Sequence, residues 1–448
     1  MSGEASLRRE LGLAAAVAVV VNSTIGTGIF KKPAEVVREA GSLEAGLAVW
    51  ALGALVALAG AVSLAELAAS MPRTGGLYEY LRRAWGPRVA FLYGWAKITL
   101  LLPSAVGSFA LLGAESIASL GGVPAERGRD AAVAVAIIAV CAAANLAGLR
   151  VSAVGQAIVT SVKYLGLALL GVIGLALPFS GEVAAPDPMP AFHEAPTAAG
   201  IAAALVAAMW AYDGWADLAA LGGETKEPAR TLPRALVLGT VAVGAAYLLA
   251  NLGYARVLGL DGLRRSTQGA EMAAAQLATL TLGSAGRALL SALVLVSCVG
   301  GVMASLLTNT RTFVPMATDR AFFSWLGEVR EATGVPAHAI GVGALLGAVY
   351  VSSRDFEQLT DAFVVGYFPF YALAVAGLVR LRHREPDRPR PFRVPLYPLP
   401  PLVFLAGAVL VMAGASTGLD GSTLLSTGVI LAGLPVSWVW IRATRPPA

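Results

Sequence analysis

Asn22-Ser23-Thr24-Ile25-Gly26-Thr27-Gly28-Ile29-Phe30 places an amide, three hydroxyls and two glycines in the middle of an apolar run that reads from about residue 11 to 38. A second run, at about 198–222, is interrupted in the same manner by Trp210-Ala211-Tyr212-Asp213-Gly214-Trp215. Glycine inside a helix costs about 1 kcal/mol relative to alanine, and clustered polar groups add to the break. Both stretches are expected to unwind.

The meaning of such a break depends on the medium around it, and composition identifies that medium. Of 448 residues, 57% are hydrophobic and 14% charged, with a mean hydropathy of +0.71. Soluble domains carry about 25% charged residues, so a water-soluble enzyme, a disordered chain and a nucleic-acid-binding protein are excluded. A helix of about 20 apolar residues crosses a bilayer. Twelve such stretches fit: about 11–38, 44–70, 87–118, 131–148, 152–178, 198–222, 235–256, 284–316, 338–353, 358–381, 401–416 and 423–441. Of the 33 Lys and Arg residues, 21 fall on one set of alternate loops and termini and 10 on the other, with Lys97 and Lys163 inside spans. Positive charge collects on the cytoplasmic side, which places both termini in the cytoplasm and explains the net charge of +5. The chain reads as an all-α integral membrane protein, one transmembrane domain over 1–448, multi-pass in the cytoplasmic membrane, with the lipid bilayer as its surroundings.

Irregular backbone at membrane depth persists only where it is packed in protein or lines a cavity. The two breaks fall in spans 1 and 6, the first members of two five-helix halves, and matched interruptions of this kind point to a transporter's binding site. Their chemistry suits a zwitterion. Freed N–H groups at the start of the half-helix after Gly28 can hold a carboxylate. Freed carbonyls around Thr24, Ile25, Ala211 and Tyr212 can accept from an ammonium, and no side-chain charge is needed where charge is expensive. Cys141 and Cys298 lie in apolar runs, and His193, His338 and His383 are far apart, so neither a disulfide framework nor a metal cluster is expected and no cofactor is implied. No nucleophile–base pair suggests an enzyme.

Four ordered motifs carry a family resemblance. Ile25-Gly26-Thr27-Gly28-Ile29-Phe30 resembles the GSGIF-type motif of the amino acid–polyamine–organocation (APC) superfamily. Glu66-Leu67 with Pro72-Arg73-Thr74-Gly75-Gly76-Leu77-Tyr78 is similar to its AEL…P-x-[ST]-GG-x-Y stretch. Tyr212-Asp213-Gly214-Trp215, followed by Glu224-Thr225-Lys226-Glu227-Pro228 and Arg230-Thr231-Leu232-Pro233, resembles the L-type amino acid transporter signature. Arg388-Pro389-Arg390-Pro391-Phe392-Arg393-Val394-Pro395 matches the segment before span 11. The sequence departs from the pattern at Gly223 and Glu227, where an acid and an asparagine are usual. Its outer loop near 119–130 has no cysteine, so no disulfide-linked accessory subunit is expected there.

The resemblance implies a LeuT-like fold, with inverted five-helix repeats at about 11–179 and 198–381, helices 11 and 12 at about 401–441, and alternating access. It implies that Ile25, Gly26, Thr27 and Gly28 contact the carboxylate and ammonium of an amino acid substrate, with Trp210, Ala211 and Gly214 completing the site. Lys163 matches the fifth-helix lysine of sodium-independent members. Its ammonium is implied to sit where sodium-coupled relatives bind a cation, near the hydroxyl of Ser297. Sodium-independent exchange of neutral amino acids is the expected function; proton symport, uniport and a non-transporting amino acid sensor remain open. Lys97 reads as able to reach the cytoplasmic interface, Glu66 and Glu115 as solvated or network residues, Pro/Ala-rich 184–196 as an external loop, and Arg380–Arg393 as a solvated or lipid-facing basic run.

Overall fold

The computed structural model of the chain describes residues 11–73, 75–124, 126–148, 153–176, 196–268, 272–417 and 421–444. The loop expected at 184–196 lies, but for its last residue, outside them. Sixteen α-helices account for nearly all of the rest: α1 (Leu13–Thr24), α2 (Gly28–Ala40), α3 (Leu43–Ser70), α4 (Leu77–Trp85), α5 (Pro87–Ala96), α6 (Leu102–Leu120), α7 (Arg127–Leu146) and α8 (Ala153–Ala176) come first. They are followed by α9 (Ala198–Tyr212), α10 (Pro228–Gln268), α11 (Ala273–Thr308), α12 (Phe313–Thr318), α13 (Ala337–Ser353), α14 (Phe356–Arg384), α15 (Leu399–Thr417) and α16 (Gly421–Thr444). Among the described residues there is no strand, only two isolated bridges.

Among the described residues seven helices are long and apolar enough to cross a membrane, and α1 with α2 makes one further bent pair at 48°. Shorter apolar helices lie at Lys163–Ala176, Ala198–Tyr212, Ala337–Ser353 and Leu424–Trp440. Large apolar side chains face outward all round: Leu289 is 72% exposed, Val409 70% and Leu165 65%, a surface suited to lipid rather than water. Inside, small residues let backbones approach. A Cβ on Gly174 would stand 2.8 Å from the Cα of Gly253, so α8 and α10 meet backbone to backbone.

Both expected breaks are present. The helix is interrupted over residues 25–27, between α1 and α2. Helix α9 stops at Tyr212, Asp213 is extended, Gly214 takes φ +111°, and the chain resumes as a tight 3₁₀ segment, Trp215–Ala220. A third irregularity was not expected. Lys97–Leu101 forms a π turn between α5 and α6. Pro103 has no N–H to give the Thr99 carbonyl four residues earlier, and the Tyr350 hydroxyl supplies it instead at 2.7 Å. The eighth span is also less regular than expected, bending at Gly283 and ending in a 3₁₀ turn, Asn309–Thr312.

The basic run at 380–393 is not simply solvated. Arg382 closes a bidentate ion pair on Glu66, which is 1% exposed at its side chain; Arg390 Nε stands 3.3 Å from the same carboxylate, and the Val394 N–H donates to it at 2.8 Å. The carboxylate buried near the C-terminal end of α3 needs partners, and the stretch 382–394, remote in sequence, supplies them. Removing one partner of a buried pair costs about 3–5 kcal/mol. Glu66→Ala is therefore expected to lower the apparent melting temperature of the purified protein markedly, whereas an unchanged melting curve would show the cluster to be solvated after all.

Candidate functional site

The two breaks pack directly on each other. A Cβ on Gly28 would lie 2.7 Å from both Cα and Cβ of Ala211 and 3.1 Å from Cδ1 of Trp210; one on Gly214 would overlap the Ser23 carbonyl. Only glycine permits this approach, and at Gly214 its positive φ is a second reason. Six of the expected site residues thus meet in one place: Thr24, Gly26, Gly28, Trp210, Ala211 and Gly214. Ile25, Thr27 and Tyr212 belong to the same broken stretches, and all three are buried.

Hydrogen-bond accounting refines which backbone groups are available. The Tyr247 hydroxyl in α10 lies 2.9 Å from the Thr24 carbonyl and 3.0 Å from the Ala211 carbonyl. A hydroxyl carries one proton, so these two acceptors share it, and Thr24 also accepts from the Gly26 N–H. They are therefore less free than the sequence suggested. Among the described residues no donor reaches the carbonyls of Ile25 and Tyr212, and no acceptor reaches the N–H groups of Gly28 and Ile29. Among the described residues the buried Thr27 hydroxyl has no partner. Buried polar groups in folded proteins are nearly always satisfied, so unpaired donors and acceptors gathered at one point mark a place built for a polar ligand. The Tyr212 side chain turns away: its hydroxyl donates to the Trp50 carbonyl at 3.0 Å, within a cage of Trp50, Tyr212 and Tyr247.

Above the first break lies an aromatic wall that sequence reading caught only at Trp210. Trp210 is 7% exposed, with Phe363 of α14 edge-on at 5.0 Å and Phe109 of α6 at 6.1 Å. A Cβ on Gly26 would touch the Phe109 ring at 3.2 Å, and one on Gly301 would meet the same ring at 2.7 Å. Phe109, Phe363 and Tyr247 sit singly in apolar runs, where no local pattern separates a site residue from a packing residue.

Lys163 is 5% exposed on α8, which packs against α11, the helix that carries Ser297. Among the described residues the buried Ser297 hydroxyl has no hydrogen-bond partner. The two expected coupling residues therefore lie on helices that pack against each other.

The ends of the broken helices are fastened. Past the first break Lys32 is fully buried in α2, with its ammonium 2.5 Å from Glu35 and 3.3 Å from Asp361 of α14, while Lys31 meets Glu115 of α6 at 2.6 Å. Sequence reading had counted both lysines as plain outer charges and Glu115 as a solvated or network residue. Before α1, the Leu11 N–H donates to the Glu224 carbonyl at 3.0 Å, and the Lys226 N–H to the Leu11 carbonyl at 2.9 Å.

Steric arithmetic gives a direct check. Gly28→Ala forces a methyl against the Ala211 backbone and is expected to cut amino acid uptake at least tenfold, about 1.4 kcal/mol. Gly12→Ala, which meets nothing within 4 Å, is expected to transport as the parent does. Parental uptake in Gly28→Ala would separate the break from the site.

The comparisons with known proteins agree with this architecture. The family model described as amino acid permease matches residues 11–435. The chain is similar to the serine/threonine exchanger SteT of Bacillus subtilis, 31% identical over 432 residues, covering 96% of each chain. It is also similar to the human b(0,+)-type amino acid transporter 1, 28% identical over 98% of this chain and 89% of that one. The mouse large neutral amino acids transporter small subunit 2 is 28% identical over 99% of this chain and 83% of its own. A membrane-type helical bundle with two facing helix breaks, matched to these proteins along nearly its whole length, is a multi-pass amino acid transporter and not an enzyme: the chain belongs to the amino acid permease family of the APC superfamily.

Proposed function

We propose that this protein exchanges neutral amino acids across the cytoplasmic membrane by alternating access, without sodium. The observation that carries the reading is the meeting of the two breaks around unpaired backbone groups and the orphaned Thr27 hydroxyl. N–H groups of Gly28 and Ile29, at the positive end of α2, suit a carboxylate; the carbonyls of Ile25 and Tyr212 suit an ammonium. The apolar wall of Phe109, Trp210 and Phe363 suits an uncharged side chain, and serine/threonine exchange in a relative named SteT supports the substrate class.

In this reading twelve spans form two inverted repeats, about 11–179 and 198–381, with two further helices at about 401–441, and both termini are cytoplasmic. Lys163 supplies the positive charge that a coupling cation provides elsewhere, beside Ser297. The carrier works without a disulfide-linked accessory subunit, because residues 119–130 hold no cysteine. A second reading, proton-coupled symport or uniport, is favoured by one observation: among the described residues no acceptor is bonded to the Lys163 ammonium, which leaves that group able to change its protonation.

Radiolabelled alanine uptake into sodium-free proteoliposomes distinguishes the two. Exchange predicts uptake that requires unlabelled alanine inside, falling at least tenfold in empty vesicles. Equal uptake into empty vesicles would favour symport or uniport, and no uptake in either would refute transport.

A further inference from the structure

Phe109 of α6 is exposed where its helix is not. The span Pro87–Leu120 is the most enclosed of the seven long apolar helices, with 83% of its apolar stretch buried. Even Lys97, expected to reach the cytoplasmic interface, is 4% exposed and donates to the Tyr93 hydroxyl at 3.1 Å. From Leu100 to Ala114 every residue but Phe109 is buried. Ala105, Val106, Leu112 and Gly113, one turn away on the same face, are among the buried ones. A side chain turned to lipid shares its exposure with that whole face. Phe109 therefore opens onto a space inside the bundle. Gly26 and Gly301, the two glycines that border its ring, are partly exposed as well.

The ring has little freedom to leave that position. At Gly301 of α11 a Cβ would stand 2.7 Å from ring atom Cδ1 and 2.9 Å from both Cε1 and Cγ. Three ring atoms this close to one missing side chain mean that the ring is seated against α11 and cannot withdraw in that direction. Its tip, Cε1 and Cζ, lies 3.2 and 3.4 Å from the place a Gly26 Cβ would take. The ring thus bridges the gap from α11 to the first break. Trp210, with its ring centroid 6.1 Å away and Phe363 edge-on behind it at 5.0 Å, closes a third side.

We propose that Phe109 sets the upper size of the substrate side chain and restricts the carrier to small neutral amino acids such as alanine, serine and threonine. The inference rests on the transport reading for the position of the substrate's head group, and goes beyond it in naming the size of the side chain. Gly26 lies in the chain between the Ile25 carbonyl and the N–H groups of Gly28 and Ile29. An amino acid held by those groups carries its α-carbon past Gly26, against the tip of the ring. A leucine or phenylalanine side chain needs the volume that the ring fills, and overpacking a fixed space is costly. Each methylene gained or lost in an apolar pocket changes recognition by about 10- to 200-fold, which is enough to separate alanine from leucine. Gly301 is the other half of the device: its missing side chain seats the ring, so filling that seat drives the ring toward Gly26.

Competition binding tests this without transport. Labelled alanine is bound to the purified protein in lipid nanodiscs and displaced by unlabelled alanine, threonine or leucine. In the parent, leucine is expected to compete about tenfold or more weakly than alanine. In Phe109→Ala the affinity for leucine relative to alanine is expected to rise about tenfold or more, and in Phe109→Leu to rise less, in the same direction. Gly301→Ala is expected to act oppositely, weakening threonine relative to alanine. Gly300→Ala, whose added Cβ meets nothing within 4 Å, is expected to keep the parental ratios. Each variant is first checked for a single gel-filtration peak, and Phe109→Leu and Gly301→Ala report even where Phe109→Ala does not fold. A ring that merely packs the core would lower all affinities together and leave their ratio unmoved. An unmoved ratio, or a parent that binds leucine as tightly as alanine, would overturn the proposal while leaving the transport reading intact. A parent that binds no alanine would instead refute the substrate site of that reading, and this inference with it.

Discussion

Backbone hydrogen bonding in a medium without water is the constraint on which this structure depends. A helix satisfies its own peptide groups; a broken helix does not, and hydrocarbon supplies no substitute. Two breaks at similar depth would be costly if each faced lipid. Placed against each other, with Gly28 on Ala211 and Gly214 on Ser23, they share one protein-lined space. Tyr247 then satisfies one carbonyl from each side with a single hydroxyl. What is left over is small and specific: the N–H groups of Gly28 and Ile29, one carbonyl from each break, and a threonine hydroxyl.

The rest of the molecule holds that arrangement in place. At one end of the broken helix, charged groups on α2 reach α6 and α14; at the other, Leu11 pairs by backbone with Glu224 and Lys226, and Arg311 stands 4.0 Å from the Glu224 carboxylate. These fastenings differ in kind. The first consists of ion pairs between side chains, with Lys32 fully buried among them. The second combines main-chain bonds with one longer ion pair.

Much of this was legible in the sequence, for definite physical reasons. Spans are long apolar runs, and breaks are glycines beside polar residues, so the fold class and residues 22–30 and 210–215 stood out. Glu66 was legible only as a solvated or network residue, and its partners were not, because Arg382 and Arg390 read as one basic run and only the tertiary fold turns them inward. The π turn escaped notice although Pro103 announces it, since a proline near a span's middle suggests a kink without saying who bonds the freed carbonyl. Phe109, Phe363 and Tyr247 escaped for a simpler reason: an aromatic in an apolar helix looks the same facing lipid, core or ligand.

The central claim is that the facing breaks hold the amino acid. A structure determined with bound alanine tests it most directly. The account predicts density for the ligand between residues 25–29 and 210–214, its carboxylate on the N–H groups of Gly28 and Ile29 and its ammonium on the carbonyls of Ile25 and Tyr212. Ordered ligand elsewhere in the bundle, with the breaks left unoccupied, would contradict it.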